Sequence, residues 1–343
     1  VANGPFGNLP QNYCWIRSAT ISFYKDSKVP KEEGSIIYVD NSLEKVIVKN
    51  SIPKLEATGF QFAEGPFWHP DGYLLFSDPN ANTIFKLNPT NKNVTVYLPN
   101  SGYTGLNIGN YHQPGSNGLA IDSEGRLIIC QHGNRSVIRL EKKGPVTKLA
   151  THYKNMKLNS PNDLVIRKDG TIFFTDPPYG LPELFNDKGK ETPFSGVYAI
   201  SKGKVKLLTT DFRGPNGIAL SPDEKYLYVS NWDINDIRHT KFIYRYTCDS
   251  EGNLNNRITF ADMNNIDNDL GLDGLDVDEL GNVYSSAPDG IWIINPDGKL
   301  IGKIILPEHA SNITFGGKDN KTLYITATSS IYSIDLLVSG AAK

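Results

Sequence analysis

Short apolar runs recur along the chain in one frame: a polar residue, apolar residues two and four positions later, and a turn near the eighth position. Glu64 leads to Pro66, Trp68 and Gly72, Asn117 to Leu119, Ile121 and Gly125, and Asn162 to Leu164, Ile166 and Gly170. Asn216 leads to Ile218, Leu220 and an Asp223-Glu224 turn, Asp273 to Leu275, Val277 and Gly281, and Ser311 to Ile313, Phe315 and Asp319. A period of two is the pattern of a strand. A second β-rich run follows the turn, as in Tyr73-Leu74-Leu75-Phe76, Thr171-Ile172-Phe173-Phe174 and Tyr226-Leu227-Tyr228-Val229. A third usually comes next, such as Val137-Ile138-Arg139-Leu140 or Ile291-Trp292-Ile293-Ile294, and a fourth often trails it, as in Val94-Thr95-Val96-Tyr97. Each unit reads as a four-stranded meander.

Six such units at intervals of roughly 50 residues predict an all-β fold, a six-bladed β-propeller. A β-sandwich also gives strands and turns at short intervals, but it does not explain one frame recurring six times. The final unit, from Ser311 to Leu336, has room for three strands, while residues 36–48 carry spare runs, Ile36-Ile37-Tyr38-Val39 and Val46-Ile47-Val48. The N-terminal segment is therefore expected to close the last blade and bury its open edge. The expected organisation is one domain: an extension over 1–35, closing strands within 36–62 and blades over 63–336.

Composition narrows the partners. The chain has 343 residues, with 35 Lys and Arg against 37 Asp and Glu, which gives nucleic acid no basic footprint. No window approaches the roughly 18 apolar residues of a membrane helix. A small soluble substrate is expected, with neither nucleic acid nor membrane as partner, and a monomer or weak dimer. Cys14, Cys130 and Cys248 allow at most one disulfide and lack C-x-x-C spacing. A first residue of Val fits removal of an N-terminal segment such as a signal peptide, and a periplasmic or secreted compartment is expected ahead of a cytoplasmic one.

In a propeller the first strand of each blade lines the central channel, so the polar leads converge although they are far apart in sequence. Glu64, Asn117, Asn162, Asn216, Asp273 and Ser311 comprise two carboxylates, three amides and a hydroxyl, with no Lys, Arg or His. An isolated Asn before a strand is an ordinary turn residue. As a set, two buried carboxylates among neutral oxygen donors call for a hard divalent cation, Ca²⁺ first, with Mg²⁺, Mn²⁺ and Zn²⁺ as alternatives. His112, His132 and His309 fall near channel-facing strand ends, and His132 and His309 are candidate substrate contacts.

Competing motifs fail. Asp269-Leu270-Gly271-Leu272-Asp273-Gly274 resembles an EF-hand opening, but Gly271 replaces a ligand and Leu280 stands where the bidentate Glu belongs. Pro114-Gly115-Ser116-Asn117-Gly118 misses a nucleophile elbow by its first residue. The chain holds no H-E-x-x-H, Walker A or G-x-G-x-x-G motif.

From about Ala63 to Ile334 the chain resembles the senescence-marker-protein/gluconolactonase (SGL) family of six-bladed calcium-dependent propellers. The likeness is carried by Ala63-Glu64-Gly65-Pro66, Ser160-Pro161-Asn162-Asp163-Leu164, Gly214-Pro215-Asn216-Gly217, Leu272-Asp273-Gly274 and Phe315-Gly316-Gly317. The run Phe174-Thr175-Asp176-Pro177-Pro178-Tyr179-Gly180 is most similar to the gluconolactonase branch. This resemblance implies that Glu64, Asn216 and Asp273 bind the metal, that Asn162 lies at the metal and touches substrate, and that Asn117 holds metal or substrate oxygens. Ser160 stands where animal members carry an Arg that helps to hold sugar hydroxyls, so their substrate preference does not carry over.

The implied reaction is metal-dependent hydrolysis of a sugar lactone such as gluconolactone to its aldonic acid. The expected base is Asp273 or metal-bound hydroxide, since Glu64 is the carboxylate more plainly committed to the ion. Two rivals stand beside this reading: a phosphotriesterase resembling diisopropyl fluorophosphatase or paraoxonase, in which Asp273 would attack phosphorus, and a non-catalytic binding propeller. The residues from Leu181 to Pro193 and from Gly102 to Gly115 are expected to overhang the channel and select substrate.

Overall fold

A computed structural model describes residues 34–233, 240–266 and 270–342. Six antiparallel sheets form a six-bladed β-propeller. Their innermost strands are Glu64–His69, Ser116–Ile121, Leu164–Ile166, Pro215–Leu220, Leu275–Val277 and Ala310–Gly316, and from these the blades are numbered one to six.

Most second strands carry an uninterrupted apolar run, because both of their faces are buried. In blade one, Leu74 and Phe76 pack toward blade six, beside Tyr324 and Ile331, whereas Leu75 packs toward blade two, beside Leu119 and Ile129. In blade three, Phe173 faces blade four and Phe174 faces blade two. The core is therefore divided into six clusters, one at each junction between neighbouring blades. A fully buried side chain of this size contributes roughly 1.5–3 kcal/mol.

The last blade is closed from the N-terminal side, as the sequence predicts, by Lys54–Thr58 paired with Ser330–Asp335. The two spare runs at 36–48 do not do the closing. Ser35–Tyr38 pairs instead with Leu300–Ile305, as a fifth strand on blade five. The second run is largely not a strand: Asp40 caps a 3₁₀ turn over Asn41–Lys45, and Leu43, Val46 and Ile47 are buried together in the blade five–six core. Their spacing of three and four is that of a helical face, which overrides the β-branched composition of Val46-Ile47-Val48. Residues 1–33 and Cys14 lie outside the described residues, as does Asp269 of the EF-hand-like run; Cys130 and Cys248 are unpaired.

Candidate active site

Glycine after the polar lead lets neighbouring inner strands approach the axis. A Cβ on Gly65, which has φ +47°, would lie 2.0 Å from the Asn117 carbonyl oxygen, and one on Gly274 would lie 1.9 Å from the Asn312 side chain. Only a residue without a side chain fits there. This is the physical content of the Glu64-Gly65, Asn117-Gly118, Asn216-Gly217 and Asp273-Gly274 pairs.

A cavity of about 350 Å³ opens on this ring and is bordered by Glu64, Asn117, Asn162, Asn216 and Asp273. These five side chains, from five blades, meet at one end of the channel. Asn117 Nδ2 donates to Asn162 Oδ1 at 2.9 Å, and Asn162 Nδ2 donates to Asn216 Oδ1 at 2.7 Å. Glu64 Oε2 accepts from the Gly65 amide at 2.5 Å and from Asn312 Nδ2 at 3.1 Å.

Ser311, the sixth lead, does not face this cluster. Its hydroxyl donates to the Ala63 carbonyl at 2.6 Å, and Asn312 takes the inward position against Glu64. Blade six carries Asn312 directly after its lead, where blades one, two, four and five carry Gly, so an amide side chain is available for the inward place.

Burial dominates the electrostatics. It pushes the Glu64 carboxyl up to about 7 against the pull of the Gly65 amide, with the charge of Asp163 adding to the rise. Burial, followed by the charge of Glu64, drives Asp273 well above the usual carboxylate range. Without compensation, two ionised carboxylates here are unfavourable by on the order of several kcal/mol.

Among the described residues no cluster of three or more His, Cys, Asp or Glu side chains could hold a metal, so any cation at this point would draw on amide oxygens as well. The donors suit that role. They are oxygen-only, two are carboxylates, and buried Asn117 Oδ1 has no hydrogen-bond partner. Asn162 Oδ1 already faces two partners, Asn117 Nδ2 and His132 Nε2, the latter at 3.0 Å.

His132 is fully buried behind Asn162, and burial lowers its imidazole to about 4. It steadies Asn162 and is not part of the cavity wall. His309 packs its ring against Trp232, with centroids 6.2 Å apart. His112 and Gln113, from the 102–115 segment, border the cavity, and so does Leu184 from the 181–193 segment.

The polar frame did not single out Tyr179 and Trp232, which also border the cavity. Tyr179 donates its hydroxyl to the Trp232 carbonyl at 2.5 Å. Also missed were the second-strand hydroxyls that fasten the ring. Ser77 Oγ donates to the Asn117 carbonyl, Thr175 Oγ1 to that of Asn216 and Ser230 Oγ to that of Asp273, each at 2.7 Å. Their signal was available as a hydroxyl residue followed by Asp or Asn at the end of the second run: Ser77-Asp78, Thr175-Asp176 and Ser230-Asn231.

Residues 62–329 match the family model described as the SMP-30/Gluconolactonase/LRE-like region. The chain belongs to this family. Among family relatives, a gluconolactonase of Zymomonas mobilis is 36% identical over 314 residues, covering 88% of this chain and 86% of that one. A pentonolactonase of Haloferax volcanii is 23% identical, over 80% of this chain and 84% of its own. Among solved structures, a gluconolactonase from Xanthomonas campestris superimposes with a TM-score of 0.74 at 28% identity, covering 89% of this chain and 95% of that one.

Proposed function

We propose that the protein hydrolyses sugar lactones such as gluconolactone to their aldonic acids, using a divalent cation, calcium first, held by Glu64, Asn216 and Asp273. Asn117 and Asn162 are the neighbouring oxygen donors, for the ion or for substrate. The observation that carries this reading is the meeting of Glu64 and Asp273 with three Asn side chains at one end of a 350 Å³ cavity. Likeness to gluconolactonases and a pentonolactonase supports the lactone as substrate class.

When bound, the cation supplies Lewis-acid polarisation of the carbonyl and neutralises the paired carboxylates. Asp273 accepts a proton from the attacking water as its oxygen adds to the lactone carbonyl carbon. The carbonyl carbon to ring oxygen bond then breaks, and the ring oxygen takes a proton from the same carboxyl, leaving a hydroxy acid. Glu64, held by the Gly65 amide and Asn312, remains an acceptor committed to the site. The chain Asn117–Asn162–Asn216 fixes the amide orientations in advance, so less reorganisation accompanies charge development.

A panel of aldonolactones, aromatic lactones and organophosphates, assayed with chelator and with added calcium, tests the proposal. Calcium-dependent turnover of aldonolactones is expected. Turnover of organophosphates alone would overturn it in favour of phosphotriester hydrolysis.

A further inference from the structure

Trp232 stands between the two parts of the ring that matter most. Its amide donates to the Gly214 carbonyl at 2.8 Å, two residues before Asn216. Its indole lies where a Cβ on Gly271, two residues before Asp273, would come within 2.1 Å of the five-membered ring. With the Tyr179 hydroxyl on its carbonyl, the residue is fixed at both ends of its contact with the site.

The indole nevertheless leaves its polar atom unused. Trp232 borders the catalytic cavity, and its buried Nε1 donor has no hydrogen-bond partner; both ring nitrogens of the adjoining His309 are in the same condition. The two rings are inclined at 73°, with centroids 6.2 Å apart. Buried donors and acceptors without partners are rare in folded proteins, and three of them on two adjoining rings, one of which borders the cavity, call for a polar group that arrives with a ligand. Burial lowers the His309 imidazole to about 4, so near neutral pH the ring offers one donor and one acceptor nitrogen.

We infer that Trp232 Nε1 and an imidazole nitrogen of His309 form a subsite for one hydroxyl group of a polyhydroxylated lactone. This rests on the lactonase reading and deepens it. A hydroxyl can accept from the indole N–H and donate to the imidazole nitrogen at once, a pairing that neither a carbonyl, with no donor, nor a methylene can make. The subsite therefore sets substrate class: it favours sugar lactones over unsubstituted lactones of the same ring size.

Two measurements test this independently of each other. Trp232→Phe keeps an aromatic ring and removes the N–H; selectivity for δ-gluconolactone over δ-valerolactone, taken as the ratio of kcat/KM values, is expected to fall roughly tenfold. In the wild-type protein labelled with ¹⁵N-tryptophan, the indole signal missing from the Trp232→Phe spectrum is that of Trp232. It is expected to move on addition of D-glucono-δ-lactam, whose amide resists hydrolysis far more than the lactone ester, and to stay in place with δ-valerolactam, which lacks the hydroxyls. An unchanged selectivity ratio, or a signal that moves equally with both lactams or with neither, overturns the subsite. A signal that moves only with gluconolactam in a protein that hydrolyses no lactone supports the subsite and removes the lactonase reading.

Discussion

The hydroxyl of Ser230 donates to the backbone carbonyl of Asp273 at 2.7 Å, so a side chain on the second strand of blade four fixes the position of a carboxylate-bearing residue of blade five. The same hydroxyl accepts from the Gly217 amide at 2.8 Å, which ties in the strand that carries Asn216. One small residue thus joins two members of the ring without touching the cavity.

Ser230→Ala is expected to lower kcat about tenfold and to destabilise the fold by about 1–2 kcal/mol, as deletion of a buried hydrogen-bonding hydroxyl does. Ser230→Thr keeps the hydroxyl and should recover most of the loss. Steady-state kinetics and urea unfolding check both values. Equal kcat in the Ala variant and the wild type would show that the tie has no bearing on the site.

Asp273→Asn and Glu64→Gln should fail differently. Replacing the proton acceptor is expected to lower kcat by orders of magnitude while calcium still binds, whereas replacing the committed ligand chiefly weakens calcium binding. Calcium affinity measured alongside turnover separates them. Equal loss of calcium in both variants would reduce Asp273 to a ligand with no separate role.

Asp176 makes the fold sensitive to pH. Burial lifts its carboxyl from an ordinary 3.8 to about 7, against donation from the Asn159 amide, and Oδ1 has no partner. Between those values the folded state holds a proton that the unfolded chain releases. The contribution of this group to stability is therefore fullest below about pH 4 and is lost as pH rises through about 7. Tm should fall between about pH 5 and about pH 8, and Asp176→Asn should flatten that fall. Parallel Tm profiles for the two proteins would contradict this assignment.

Removal of residues 1–58 takes away Lys54–Thr58 and exposes the edge of Ser330–Asp335. An open strand edge recruits other chains. The truncated protein should elute as soluble aggregate in size-exclusion chromatography, and a well-behaved monomer with an unchanged Tm would show that blade six does not need its N-terminal strand.

The legible part of the molecule was the part governed by short-range period. Alternation marked the strands, and counting back from the apolar pair located Glu64, Asn117, Asn162, Asn216 and Asp273. Ser311 escaped because its hydroxyl is taken by the Ala63 carbonyl and by Thr326 Oγ1 on neighbouring segments, contacts that one-strand counting cannot see. The first two N-terminal runs were misplaced for a similar reason. The first is a strand, as its composition suggests, but it pairs with Leu300–Ile305 on blade five, and in the second the Asp40 cap and the core position of Leu43 decide the conformation of residues 40–47. Trp232 and Tyr179 gave no periodic signal at all, since they lie in loops whose approach to the cavity is set by the propeller's closure.

The most direct test is calcium titration of metal-stripped protein by calorimetry, with lactone turnover followed on the same samples. The account predicts one calcium ion per chain, turnover that rises in step with occupancy, and loss of both in Glu64→Gln. Full turnover of δ-gluconolactone at zero occupancy would contradict it.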